Sequence, residues 1–212
     1  MKIGLLSESE ADEAAIRILV EGILGTPTEV CSTGQARNGV SAVFKQLETE
    51  IRHVYYRTEA VGLIVVVDSD KGPIPGFEER DRSGQVRQNR LDTLTEIASR
   101  TIRTLPDIPG RPPFHVAVGL AIPSVEAWYL CGKDPHINEA TWLNDRKQGR
   151  FSYEISTLKR RVYGTERPTL AEETEVAKRE TQRILRADQL KQLEEAFPAG
   201  FGQMAAEIRS WS

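Results

Sequence analysis

Cysteine and histidine are scarce in this chain, long apolar runs are missing, and each shortage removes a class of function. Cys31 and Cys131 stand far apart, and His53, His115 and His136 are equally scattered. That spacing does not build a zinc finger or a Cys/His cluster, and two lone cysteines suit a reducing cytosol. No apolar stretch approaches the roughly 20 residues a bilayer-spanning helix needs. The start, Met1-Lys2-Ile3-Gly4-Leu5-Leu6-Ser7-Glu8, is too short and too soon acidic for a signal peptide. The Gly-x-x-x-x-Gly-Lys-Ser/Thr loop of P-loop ATPases is also missing. Positive charge is not in excess: 28 Lys and Arg against 31 Asp and Glu leave a net charge of -3. Contact with nucleic acid must then come from local patches. The expectation is a cytoplasmic protein with no membrane partner.

What the chain does have is a buried-strand signature with acids at its end. Gly62-Leu63-Ile64-Val65-Val66-Val67 runs directly into Asp68-Ser69-Asp70-Lys71-Gly72. A continuous, mostly β-branched run closed by a Gly/Pro loop reads as a strand buried on both faces of a parallel sheet. Its carboxyl end is where open α/β sheets place ligands. Two acids there repel each other unless a cation neutralises them, and a hard divalent ion favours oxygen ligands.

The rest of the chain supplies the matching elements. Ile3 to Ser7 reads as a first strand and Thr28 to Ser32 as a second, with a fourth over Phe114 to Ile122. Helical spacing joins Ala15, Ile16, Leu19, Val20 and Ile23, then Val40, Val43, Phe44, Leu47, Ile51 and Val54, then Leu91, Leu94, Ala98, Ile102 and Leu105. Gly25-Thr26-Pro27 stops the first helix, and Pro123 is expected to open the fourth. Strand and helix alternate through about residue 132. That order predicts an α/β fold, a mostly parallel sheet of about four strands flanked by helices. Residues 1–135 form this unit in the reading, and residues 136–212 form a helical C-terminal extension packed on it.

Parallel topology brings distant acids to one edge. Glu8 and Glu10, with Asp12 behind them, close the first strand; Asp68 and Asp70 close the third; Glu126 sits in the first turn of the fourth helix. Alternate residues of a strand share a face, so Asp68 and Asp70 are expected to leave the same side. Two or three such acids hold Mg²⁺ or Mn²⁺ and leave positions open for water and phosphate. Asp68, Asp70 and Glu126 are the candidate ligands. A further Glu serves as general base or organises a second ion. Glu10 and Asp12 are assigned to a supporting shell or to that second ion, although an acid in a first turn often only caps its helix.

Glu8-Ser9-Glu10-Ala11-Asp12-Glu13, Asp68-Ser69-Asp70 and Ile122-Pro123-Ser124-Val125-Glu126-Ala127-Trp128, in this order, resemble the toprim domain. Topoisomerases, bacterial primases and the overcoming-lysogenisation-defect nucleases share that domain. The likeness is closer to small stand-alone bacterial toprim-like proteins and covers about residues 1 to 132. It implies Glu8 as catalytic acid/base, Asp68 and Asp70 as metal ligands, and phosphodiester chemistry on DNA or RNA. It also makes a partner ATPase in phage defence an expectation. Ser9 stands where the family usually has Gly. The chain lacks the tyrosine-bearing domain of a topoisomerase and the zinc module of a primase, so hydrolysis is what remains.

Phosphoryl transfer needs positive charge beside the metal. Lys71 follows the acidic pair and is the first candidate for catalysis. Arg37, Arg80, Arg82, Arg87 and Arg90 are candidates for nucleic-acid or phosphate contact. A second basic stretch, Lys147, Arg150, Lys159, Arg160 and Arg161 with Phe151 and Tyr153 interleaved, reads more readily as a solvated face. Trp128 reads as core. The competing expectations are a nucleotide-sugar or phosphate-transfer enzyme using Asp-x-Asp, and a non-catalytic partner-binding module.

Overall fold

The computed structural model describes residues 1–31, 39–151 and 153–211. The chain runs β1 (Lys2–Leu6), α1 (Glu10–Leu24), β2 (Glu29–Cys31), α2 (Val40–Arg57), β3 (Gly62–Asp68), α3 (Arg90–Ile102), β4 (His115–Ala121) and α4 (Val125–Tyr129). Helices α5 (Glu139–Lys147), α6 (Ile155–Tyr163), α7 (Leu170–Arg186) and α8 (Leu190–Ala196) follow, then a π-helical turn, Pro198–Gly202, and α9 (Gln203–Arg209). The four strands form one parallel sheet in the order β2-β1-β3-β4. This is the α/β architecture, Rossmann-like in layout, that the alternation of elements predicts.

Local chemistry sets the element ends. Ser9 caps α1, its side chain accepting the Asp12 N–H at 3.2 Å, and Gly25 ends the helix in the left-handed region at φ 65°. Asn89 caps α3 by accepting the Asp92 N–H at 2.9 Å. One expectation needs correction: Pro123 does not open α4. The helix starts at Val125 behind Ser124, and the Pro123 carbonyl instead accepts the Asp70 N–H at 2.9 Å. That bond, with Ser69 N–H to the Ala121 carbonyl at 2.8 Å, fixes the loop after β3 against the loop after β4.

Leu63 to Val67 are all buried, as a central strand covered on both faces requires. Helices α2 and α3 cover one face, while α1, α9 and the π-helical turn cover the other, with α7 packed along α1. The core is continuous from Ile3 and Leu6 through Leu47, Val65 and Trp128 to Phe197, Phe201 and Ile208. Trp128 packs edge-on against Phe201 at 5.1 Å, in agreement with its reading as core. Polar stitches reinforce the join. Arg183 of α7 donates to the carbonyls of Tyr129 (3.0 Å) and Cys131 (2.8 Å), and Glu139 accepts the N–H groups of Ala199 and Gly200. Residues after 135 therefore share their apolar interior with the sheet. Among the described residues, no helix is long and apolar enough to cross a membrane.

Candidate site at the carboxyl end of the sheet

Parallel strands deliver the predicted acids to one edge. Glu8 lies just past β1 and reaches across to β3, where Oε1 accepts the Asp68 N–H at 2.8 Å. The Val40 N–H at the start of α2 also faces it. Burial pushes the Glu8 carboxyl above its ordinary range, with the Asp70 charge adding to the effect and the Asp68 N–H opposing it. Asp68 closes β3, and its Oδ1 accepts the Val125 N–H at 3.0 Å, at the first residue of α4. Burial first, then the charges of Glu126, Asp12, Glu8 and Asp70, hold its carboxyl well above the usual range. Four acids thus act on one aspartate, three of them brought in from other parts of the chain.

Asp12 and Glu126 form the inner part of this group. Asp12, in the first turn of α1, is pushed up to about 7 by burial, with the Glu126, Glu8 and Glu173 charges adding to it. Glu126 is buried, accepts a hydrogen bond from Ser124 Oγ, and lies 3.8 Å from Lys159 Nζ. Glu10, the first residue of α1, is exposed and points its charge at solvent rather than into the group.

Asp70 departs from the expected geometry. Strand β3 ends at Asp68, and Asp70 adopts φ 50°, a left-handed conformation that Asp tolerates better than most residues. Strand alternation no longer applies, so the two aspartates serve different partners. Asp70 Oδ2 accepts from Arg90 Nη1 at 2.8 Å, and the same guanidinium nitrogen donates to the Asp68 carbonyl. Arg90 is thereby the one predicted arginine that touches the acidic pair among the described residues.

The remaining predicted cations sit elsewhere. Lys71 lies 3.6 Å from Glu154 and over the Phe151 ring at 5.1 Å, more than half exposed. Arg80 pairs with Glu78 and Arg87 with Glu79, on the projecting loop between β3 and α3, while Arg82 is exposed on the same loop. Arg37 lies outside the described residues. In the second basic stretch, Arg150, Arg160 and Arg161 are paired with Asp145, Glu166 and Asp134, which fits a solvated face.

Lys159 is the exception within that stretch. Its ammonium lies 3.2 Å from Glu173 of α7 as well as near Glu126, and its pKa is raised by those two acids against the cost of burial. Tyr163, one turn later on α6, lies near enough to Glu126 for burial, first, and that acid's charge to push its phenol up. Helix α6 thus contributes a cation and a phenol from the same face. Composition ranks Lys159 with its exposed neighbours; the i, i+4 pairing with Tyr163 is the only trace of its inward position. Glu173 and Tyr129 were equally silent in the sequence.

No family model, curated protein or solved structure matches this chain. The site must be judged on its own chemistry. Its donors are oxygens only, several are buried, and they destabilise one another's charge, which is the donor set a hard dication satisfies. As placed, however, no three Asp, Glu, His or Cys side chains among the described residues surround a single point. Each acid instead holds a local donor: Asp68 N–H for Glu8, Val125 N–H for Asp68, Arg90 for Asp70, Ser124 for Glu126. Asp68, Glu126 and Asp12 thus crowd one another, while Asp70 is engaged by Arg90.

Proposed function

We propose that this chain is a divalent-cation-dependent phosphodiesterase of toprim type, acting on DNA or RNA in the cytoplasm. One observation carries the reading: acids at the ends of β1 and β3 and in the first turns of α1 and α4 crowd the carboxyl edge of one parallel sheet, and among the described residues only Arg90 and Lys159 are paired with them as cations. Such crowding is costly to maintain unless a cation or a proton relieves it. Bound Mg²⁺ or Mn²⁺ would polarise a phosphoryl oxygen and lower the pKa of a ligated water.

The residues have distinct tasks in this reading. Glu8, held above its ordinary range by burial yet pinned by the Asp68 N–H, is the candidate proton acceptor. Arg90 anchors Asp70 and the β3 terminus together, so it orients the loop that carries the ligands. Lys159 supplies positive charge on the opposite, α4 side. Nucleic acid is the substrate class that the resemblance implies, with the ATPase supplied by a separate chain.

A specific observation favours a second reading, a partner-binding module without catalysis: Glu8, Asp68, Asp70 and Glu126 each have their own donor, and no cage is assembled among the described residues. Incubation with Mn²⁺ and mixed single- and double-stranded DNA and RNA separates the two. Cleavage that requires the metal and disappears in Asp68→Ala/Asp70→Ala supports the enzyme. Absence of cleavage, with no detectable binding of millimolar Mn²⁺, leaves the module.

A further inference from the structure

The hydroxyl of Tyr129 is buried, the residue being only 1% exposed, and it has no hydrogen-bond partner among the described residues. A phenol in such a place nearly always has one, and leaving a donor unpaired is costly. Its neighbours explain what it faces. Tyr129 lies three residues after Glu126 on α4, so the two share a helix face. Burial, and then the nearby charges of Asp12, Glu126 and Asp68, keep its phenol protonated. Helices α4 and α6 pack together, bringing the Glu126/Tyr129 face against the Lys159/Tyr163 face.

An ionised carboxylate is an acceptor only, with about four lone-pair directions to fill. Ser124 donates to Glu126 and Lys159 lies 3.8 Å from it, Tyr163 is close by, and the Tyr129 O–H is unused among the described residues. We propose that Tyr129 is a positioning residue of the acidic site, its hydroxyl donating to a carboxylate of the cluster once the cluster carries its divalent cation. Tyr163 performs the same task from α6. Both phenols then orient ligand carboxylates without touching metal or substrate. This inference rests on the metal-dependent reading above.

The experiment titrates the full chain with Mn²⁺, followed by calorimetry and by loss of the free-ion electron-paramagnetic signal, for wild type, Tyr129→Phe and Tyr163→Phe. Thermal midpoints are measured with and without the ion. Loss of an outer-shell donor typically weakens metal affinity about 10- to 100-fold, and that loss is expected for Tyr129→Phe. Its cation-free midpoint should stay level or rise, because removing an unpaired buried hydroxyl loses no bond. A fall in the cation-free midpoint reveals a structural role and overturns the proposal. Equal Mn²⁺ affinity in wild type and Tyr129→Phe also overturns it, while leaving the metal reading intact. A wild-type chain that binds no Mn²⁺ overturns both.

Discussion

Raising the pH of the cation-free protein from about 4.5 to about 7.5 is expected to lower its stability, opposite to the usual carboxylate trend. The cause is Asp12, whose carboxyl moves from an ordinary 3.8 to about 7 in the folded chain through burial and the facing charges of Glu126, Glu8 and Glu173. Ser9 opposes this shift through its hydrogen bond. Between those two values the folded chain holds a proton that the unfolded chain has released, so stability falls as pH rises. At 1.36 kcal/mol per pH unit the effect is bounded at about 4 kcal/mol. For a chain of this size that corresponds to about 10 °C in thermal midpoint, and structural relaxation reduces it. Asp68 and Glu8, displaced in the same direction, add to the slope. Glu180, held low by Lys133 and Arg183 despite its burial, acts in the opposite direction but at lower pH. Calorimetric scans in EDTA across this range give the measurement, with Asp12→Asn as the control that flattens the slope. A midpoint that is level or rises towards pH 7.5 refutes the assignment of a crowded, under-compensated acid at this position.

Further consequences follow from the same contacts. Arg90→Ala removes a partly buried guanidinium from Asp70 and the Asp68 carbonyl, and should cost about 1.5–3 kcal/mol in urea unfolding. Lys159→Met leaves Glu126 and Glu173 without their shared cation and should cost about 1–3 kcal/mol in urea unfolding. Gly200→Ala would place a Cβ 2.0 Å from the Leu120 carbonyl oxygen, where the π-helical turn lies on β4. Backbone must move to accept it, so a loss of about 1–3 kcal/mol or more is expected in the same assay.

The alternating elements were legible because each carried its own local signal. The apolar run at Leu63 to Val67 marks a two-sided strand, and the paired spacings in α1 and α2 mark helices that bury one stripe. Convergence of Glu8, Asp68 and Glu126 was legible too, since parallel topology alone sends the strand ends to one edge. The common face of Asp68 and Asp70 was not. Alternation is a property of extended backbone, and it stops where Asp70 turns left-handed to meet Arg90. The same limit hid Lys159. Its contact with Glu126 spans 33 positions of sequence (159 minus 126) and depends on how α6 packs against α4, which no local pattern encodes.

Lys159 and Tyr163 change what the C-terminal helices are for. An extension that merely covered apolar surface would present α6 to the sheet through side chains such as Leu158, which is fully buried. Instead α6 also turns a cation and a phenol towards Glu126, and α7 adds Glu173 to the same group. The acids Glu8, Asp12, Asp68, Asp70, Glu126 and Glu173 then face Arg90 and Lys159 as their nearby fixed cations. In the proposed reading the excess negative charge would be relieved by protons at low pH or by a dication at higher pH, the two competing for the same oxygens. Stability and cation affinity are therefore two readings of one electrostatic imbalance, and the helices beyond residue 135 set its size as much as the strands do.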